Sequence, residues 1–191
     1  MNKRAIDRDK KSSGPRMRLF CALHPTMDEA RLLTDPLDSL EPLPDHRRTV
    51  IDQIHMTVLF IGEVARKDLA DVKESVERAA VGVPPFCWQP DRIQTLPSRG
   101  PVRTMAAVGD SMKSLDELHR RLSQRLARRS NRRAFLPHMT LVRFSPPVTD
   151  FEVTRHIEWP TISFARVRLM QSRLLPTGAE HQCVLETSLG Q

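Results

Sequence analysis

The apolar positions of this chain follow two periods, one typical of strands and the other of helices. Continuous apolar runs at 18–23 and 54–62 predict buried strands. Over 63–82 and 111–130, apolar residues recur every three or four positions, which predicts two amphipathic helices. Thr26 stands where it can cap a third, shorter helix. The first part of the chain therefore alternates strands with helices.

Strands dominate the rest of the pattern. Segments 85–97 and 102–109 flank a turn, 136–144 follows as another strand, and 161–175 and 178–189 are the last two. The predicted order is β-α-β-α-β-β-α-β-β-β, which has too few strand–helix–strand repeats for a doubly wound parallel sheet. We therefore predict an α+β fold with antiparallel sheets.

Composition divides the chain into a tail and one domain. Residues 1–16 are polar and end near a Gly-Pro pair, so we predict a disordered basic tail before a single domain at 17–191. The chain has 30 Lys and Arg against 23 Asp and Glu, a formal charge of +7, which favours an anionic partner. No apolar run reaches the ~20 residues of a membrane-spanning helix. The N-terminus also lacks the apolar segment of a secretory signal. We expect a cytoplasmic protein with no membrane partner.

Two near copies of one short motif stand out. The segments His55-Met56-Thr57 and His138-Met139-Thr140 each open an apolar strand that leads to a phenylalanine, Phe60 or Phe144. Residues i and i+2 of a strand share a face, so each copy presents an imidazole beside a hydroxyl. A single His-x-Thr arises easily by chance. Two copies in matched strands favour a shared site over a pair of ordinary strand histidines.

The residue types of the two motifs suit phosphoryl chemistry without a metal. One neutral imidazole can take a proton from water while the other, protonated, gives one to the departing oxygen. The threonine hydroxyls can donate hydrogen bonds to the phosphate oxygens. Neither motif has an Asp, a Glu or a second His at ligand spacing, and the three cysteines lie far apart. We therefore expect neither a metal nor another cofactor.

With these motifs, the sequence resembles the two-histidine phosphoesterase superfamily, and within it the bacterial RNA 2',3'-cyclic phosphodiesterases, also called 2'-5' RNA ligases. The resemblance covers nearly the whole chain after the tail. The segments that carry it are RLFCAL, IHMTVLFIGEV, LPHMTLVRF and the C-terminal MQSRLLPTGAEHQCVLETSLG. It implies two similar lobes with antiparallel sheets and outer helices around a central cleft.

The resemblance also implies a role for each residue. His55 and Thr57 would be the first catalytic pair and His138 and Thr140 the second, with His55 as the acid and His138 as the base. The implied substrate is RNA with a 2',3'-cyclic phosphate terminus, opened to a 2'-phosphate, with reversible 2'-5' ligation as a further activity. Arg143 matches a phosphate-contacting arginine of the family. Simple alternation along the strand puts it on the opposite face from His138, so Arg143 reaches the cleft only if the strand ends or twists at Ser145-Pro146-Pro147, and is otherwise a solvated arginine.

Some alternatives stay open. His181 stands near the position where the family has a tyrosine, and we expect it to be a surface strand residue. Five arginines between Arg125 and Arg133 suit either a helix C-terminus or a phosphate-facing patch. Two other functions fit the chain: a phosphodiesterase acting on small nucleotides, and a non-catalytic RNA-binding module. We expect a monomer.

Overall fold

The computed structural model describes residues 14–127, 135–175 and 178–190. Its helices are α1 (Met27–Thr34), α2 (Leu69–Ala80) and α3 (Lys113–Leu126). Short 3-10 helices cover Asp35–Leu40, Ile51–Gln53 and Arg66–Asp68. The strands are β1 (Arg16–Leu23), β2 (His46–Arg48), β3 (Met56–Ala65), β4 (Phe86–Trp88), β5 (Arg92–Leu96), β6 (Val102–Val108), β7 (His138–Val148), β8 (Thr154–His156), β9 (Ile162–Phe164), β10 (Arg166–Leu175) and β11 (Gly178–Ser188).

The described strands form one large sheet and one small one. The large sheet has the order β11-β10-β1-β3-β7-β6-β5-β8, with β2 also paired to β7, while β4 and β9 pair separately. Every pairing is antiparallel, which confirms the predicted α+β class with antiparallel sheets. β3 and β7 pair through Met56 and Met139 alone. This seam joins a first half (β11, β10, β1, β3) to a second half (β7, β6, β5, β8), in keeping with the implied two lobes.

The main core lies on one face of the large sheet. Helix α3 packs against β3, and α2 packs against β10, β11 and α3. Leu115, Leu118 and Leu122 of α3 are fully buried, and burial of each such side chain stabilises the fold by about 1.5–3 kcal/mol. Phe20, Ala22 and Met170 form a second, smaller buried cluster, and Phe20 and Ala22 alternate along β1 with side chains of the main core. No helix within the described residues is long and apolar enough to cross a membrane.

Helix α1 begins where the sequence predicts. The Thr26 side chain accepts a hydrogen bond from the backbone N–H of Glu29, and the Glu29 carboxylate accepts one from the Thr26 N–H. The next boundary differs from the prediction, because β3 continues past Gly62 to Ala65 and α2 begins only at Leu69. Gly62 has φ of 85° and pairs with Leu19 at an irregularity in the β1–β3 ladder, so it bends the strand without ending it.

Prolines explain most other differences from the predicted strands. The segment predicted as one strand at 85–97 divides into β4 and β5 on either side of Pro90. β7 instead runs through Pro146 and Pro147 to Val148. The pairing of β2 with β7 extends only as far as Phe144. Pro146 and Pro147 lie beyond it, so their missing N–H groups break no described hydrogen bond to β2. The predicted strand at 161–175 is β9 followed by β10, which belong to different sheets.

The described part of the chain begins close to the predicted domain boundary. Arg16 pairs with Ala65 as the first residue of β1, and the N–H of Arg66 donates to the Pro15 carbonyl at 3.1 Å. The strand therefore starts one residue before the predicted boundary at 17. Residues 1–13 of the predicted tail lie outside the described residues, as does most of the arginine cluster (128–134).

Candidate active site

The seam between the two halves brings the two motifs together. Met56 lies opposite Met139, and both side chains are fully buried. Because successive side chains of a strand alternate in direction, the histidine and threonine of each motif lie on the other face of the sheet. The antiparallel register places each histidine level with the threonine of the other motif. We call this surface the motif face; it consists of His55, Thr57, His138 and Thr140.

The two motif histidines are held in the same way. Nδ1 of His55 lies 2.7 Å from the Gln53 carbonyl oxygen, and Nδ1 of His138 lies 2.8 Å from that of Leu136. A carbonyl only accepts, so Nδ1 carries the donated proton in both rings. In the neutral form Nε2 is then unprotonated and can take a proton, and in the imidazolium form it can give one. Both rings are therefore set in the tautomer that acid–base chemistry at Nε2 requires.

A β-bulge follows each threonine. In β3, the pairing with β1 skips Val58, so that Val58 and Leu59 are both buried. In β7, the pairing with β6 skips Leu141, so that Leu141 and Val142 are both buried. Each bulge reverses the alternation of the side chains. The third residue after each threonine therefore returns to the side of the sheet that carries the motif face.

The residues that the bulges turn outward are Phe60 and Arg143. Phe60 is 68% exposed, and its ring centroid lies 5.9 Å from that of buried Phe20 in β1. Arg143 is exposed on the same side and pairs with Thr104 of β6. The bulge thus explains how Arg143 reaches the motif face despite the simple alternation. Phe144, matched to Phe60 by sequence, is instead 5% exposed, so the structural counterpart of Phe60 is Arg143.

Two histidines that the sequence did not place in the site surround His55. The His24 ring stacks on that of His55 at a centroid distance of 5.5 Å. The His181 ring lies 5.3 Å from His55 and meets the buried Phe20 ring edge-on at 5.0 Å. His181 is half-buried in β11 and contacts the site, so the expectation of a plain surface residue does not describe its surroundings. Nδ1 of His24 and Nδ1 of His181 are both buried, with no hydrogen-bond partner among the described residues.

This packing keeps the rings of the first half neutral. Burial lowers the pKa of His55 to about 4, and the charges of His181, Arg143 and His138 act in the same direction, against the hydrogen bond to the Gln53 carbonyl. The pKa of His24 is lowered to about 3, mainly by burial and then by His55. Burial followed by the Arg143 charge lowers the pKa of His181 as well. In the free protein at neutral pH these imidazoles are therefore uncharged.

The second half brings positive charge to the motif face. Arg47 of β2 pairs with Arg143 in register. Although Arg143 is exposed as a residue, partial desolvation of its guanidinium and then the Arg47 charge lower its pKa. Two neighbouring guanidinium groups repel each other, and an anion between or beside them relieves that repulsion. Neither threonine hydroxyl of the motif face has a hydrogen-bond partner among the described residues, so both are available as donors.

The donors around the seam suit an anion better than a cation. They are imidazole, hydroxyl and guanidinium groups, and a guanidinium does not coordinate metal ions. Among the described residues, no group of three or more His, Cys, Asp or Glu side chains is arranged to hold a metal ion. The arrangement can bind a phosphate group between two imidazoles, with hydroxyls and a guanidinium on its oxygens.

The sequence missed His24 and His181 because long-range pairing brings them here. β1 pairs with both β3 and β10, and β10 with β11, so strands from both ends of the chain meet beside His55. The only local signal was weak: His24 directly follows an apolar strand, and His181 lies within the last one. Neither position indicates which strand will be its neighbour.

This chain is similar to known proteins over most of its length. The family model described as 2'-5' RNA ligase superfamily matches residues 22–171. The RNA 2',3'-cyclic phosphodiesterase of Thermus thermophilus is 28% identical to this chain, covering 91% of it and 90% of the relative. The protein of the same name from Thermotoga maritima is 24% identical over 71% of this chain and 75% of its own.

Solved structures share the fold. TT0787 of Thermus thermophilus superposes with a TM-score of 0.75 at 24% identity, covering 92% of this chain and all of that one (100%). LigT of E. coli in its apo form gives a TM-score of 0.76 at 20% identity, covering 92% of this chain and 99% of LigT. At these sequence identities, the similarity shows a shared fold.

Proposed function

This chain belongs to the 2'-5' RNA ligase superfamily, and from that membership we propose that it hydrolyses the 2',3'-cyclic phosphate at an RNA end to a 2'-phosphate. The observation that carries the proposal is the seam, where two imidazoles with free Nε2 atoms and two hydroxyls share one face. The names of the relatives from Thermus thermophilus and Thermotoga maritima support the same activity. Reversible 2'-5' ligation is the same chemistry run with an RNA 5'-hydroxyl in place of water.

In the proposed reaction, water attacks phosphorus and the bond from phosphorus to the ribose O3' breaks. His138 Nε2 takes the proton of the attacking water, and protonated His55 gives its Nε2 proton to O3'. The products are a 2'-phosphate and a free 3'-hydroxyl. Thr57, Thr140 and Arg143 donate hydrogen bonds to the non-bridging oxygens, where charge accumulates in the transition state. No metal or other cofactor takes part.

The acid role of His55 depends on the substrate. Its pKa of about 4 in the free protein leaves the ring neutral at pH 7. An anionic phosphate placed between His55, His138 and Arg143 offsets the neighbouring positive charge and raises that pKa. We therefore propose that substrate and proton bind together, so that His55 is charged only in the complex.

The RNA base is proposed to lie on the first half and the phosphate on the side of the second. Phe60 offers an exposed aromatic face that rests on Phe20, next to the His55 ring. Stacking on an aromatic ring is a common way to bind an unpaired base, and it tolerates any base. Arg143 and Arg47 supply the charge on the opposite side of the seam.

The test is to incubate the purified protein with an RNA oligonucleotide that ends in a 2',3'-cyclic phosphate and to identify the product by mass and by its phosphate position. We expect a 2'-phosphate, released without added metal and in the presence of EDTA. A 3'-phosphate product would reverse the assignment of the leaving oxygen. A nucleoside 2',3'-cyclic monophosphate assayed in parallel separates RNA from small nucleotides as the preferred substrate. Binding of RNA with no turnover of either substrate would make the chain a binding module.

A further inference from the structure

Next to the catalytic pair, the third imidazole at the seam has an unusual hydrogen-bonding state. Nδ1 of His181 is buried and has no partner among the described residues, whereas Nδ1 of His55 donates to a carbonyl. Protonating this buried nitrogen would leave an N–H without an acceptor, whereas protonating Nε2 leaves only a lone pair of Nδ1 without a donor and places the N–H at the nitrogen that is not buried. We therefore assign the proton of the neutral His181 ring to Nε2, the opposite tautomer to that of His55.

The His181 ring lies beside the motif face. It packs edge-on against Phe20 at 5.0 Å and lies 5.3 Å from His55, so two contacts fix its orientation. Nε2 has no hydrogen-bond partner among the described residues and is not among the buried unsatisfied atoms, so it is accessible to solvent. Because the His55 and His181 ring centroids are 5.3 Å apart, an anion bound at His55 lies within reach of the His181 ring.

Charged groups on the neighbouring strands agree with an anion at this point. Arg143 of β7 is close enough to lower the pKa of both His55 and His181, although the three residues come from different strands. Arg168 of β10 and Glu186 of β11, which bond to each other, lie nearer to His24. His55, His181 and Arg143 therefore face one region of the motif face.

We propose that His181 is a third substrate-contacting residue: its Nε2–H donates a hydrogen bond to a phosphate oxygen of the bound anion, beside His55. The donor is present in the neutral ring, so the contact does not require protonation of His181. The His181 proposal rests on the proposed function for the identity of the substrate, because that function makes the bound anion a cyclic or terminal phosphate. The contact to the phosphate itself can be tested without turnover.

The experiment measures binding of inorganic phosphate by calorimetry at pH 7.5 to the wild type, His181→Phe, His181→Tyr and His156→Phe. Phenylalanine keeps the ring on Phe20 but has no donor, whereas tyrosine restores a neutral O–H donor. We expect His181→Phe to weaken phosphate binding about tenfold to a hundredfold, the range for a hydrogen bond to a charged group. His181→Tyr should stay within a few-fold of the wild type. His156 lies in β8 on the far edge of the sheet, so His156→Phe should bind as the wild type does.

Equal binding by the wild type and His181→Phe would overturn the inference, and so would equal losses in the phenylalanine and tyrosine variants. Absence of phosphate binding by the wild type at millimolar concentration would also overturn it. If the wild type binds phosphate but does not open a cyclic phosphate, the proposed function is wrong and the His181 contact is judged from binding alone.

A measurement on the wild type guards against variants that fail to fold. Two-bond 1H–15N spectra of the 15N-labelled imidazoles report the tautomer of each ring. We expect His181 to be protonated on Nε2 and His55 on Nδ1, and phosphate to shift the Nε2 resonance of His181. A His181 ring protonated on Nδ1, or one that phosphate leaves unchanged while His55 responds, would contradict the proposal.

Discussion

The strands β3 and β7 have the same local construction in different surroundings. In both, a histidine is anchored through Nδ1 to the carbonyl two residues earlier, and a bulge follows the threonine. Both threonines lie opposite a fully buried alanine, Ala22 in β1 and Ala106 in β6. The small alanine side chain leaves the floor of the motif face open beside each hydroxyl. The shared parts are therefore those that set the geometry of the reacting groups.

The two strands differ in what surrounds that geometry. The His55 ring contacts Phe20, His24 and His181, whereas no aromatic ring among the described residues contacts His138. At the position that the bulge turns outward, the first half has Phe60 and the second has Arg143. The His55 ring is therefore buried among aromatic rings, whereas the second half brings the positive charge of Arg143 to the motif face.

Under the proposed function, the two strands would have different tasks, although their local geometry is similar. Burial of His55 disfavours its charged form, so under the proposed mechanism the anion would have to be present before the ring holds a proton. The guanidinium of Arg143 would supply permanent positive charge for that anion. In the proposed reaction both strands would supply a proton-transfer group, and the difference between Phe60 and Arg143 would separate a base-binding side from a phosphate-binding side.

Replacing either motif histidine should have the largest effect. We expect His55→Ala and His138→Ala each to reduce the rate of cyclic-phosphate hydrolysis by ~10²-fold or more, because each removes one proton-transfer partner. The double variant should be little worse than the poorer single one, since groups that act as a unit are not additive. Steady-state assays with melting curves for each variant provide the measurement. His156→Ala is the control and should leave the rate unchanged. Full activity in either single variant would disprove the paired mechanism.

Arg143 should have the next largest effect. Arg143→Lys keeps the charge but loses the planar fork that binds two phosphate oxygens, so we expect kcat/KM to fall about tenfold. The same substitution at Arg155, an exposed arginine in β8 that donates to Ser39, is the matched control and should have little effect. Equal losses of kcat/KM at both positions would mean that Arg143 contributes only to the overall positive charge and does not bind the phosphate directly.

The comparison of β3 with β7 separates the features that the sequence predicts from those that depend on strand pairing. Local patterns sufficed for the class, for α1 and for both His-x-Thr strands, because alternation and capping act between near neighbours. The bulges depend on register with β1 and β6, which a single strand does not encode. For that reason Phe60 was matched to Phe144, and Arg143 could be placed on the motif face only by assuming a bend. His24 and His181 required the pairing of strands from both ends of the chain.

Phe60 tests the aromatic side of the comparison. Since stacking of a base contributes about 1–3 kcal/mol, we expect Phe60→Ala to raise KM for a nucleoside 2',3'-cyclic phosphate about fivefold or more with little change in kcat. Phe60→Trp should keep the wild-type KM. The side chain is 68% exposed, so neither variant should lower the melting temperature much. A ribose 2',3'-cyclic phosphate without a base is the control substrate. If its KM rises as much as that of the nucleotide, Phe60 does not bind the base.

The smallest expected effect is the uptake of a fraction of a proton when an anion binds. It tests the assignment of His55 as the acid and His138 as the base. His55 is neutral at pH 6 because its pKa is lowered to about 4, so an anion that raises this pKa must bring a proton with it. We expect sulfate, which does not itself titrate at this pH, to bind with uptake of roughly half a proton by His55. Calorimetry in two buffers of different ionisation enthalpy measures the uptake, and it should fall in His55→Gln. His24, His181 and Arg143 also face the ring, and any uptake that survives in His55→Gln belongs to the other imidazoles.

Binding of sulfate to the wild type without proton uptake would mean that His55 stays neutral in the complex. His55 would then be the base that accepts the proton of water, and His138 would be the acid.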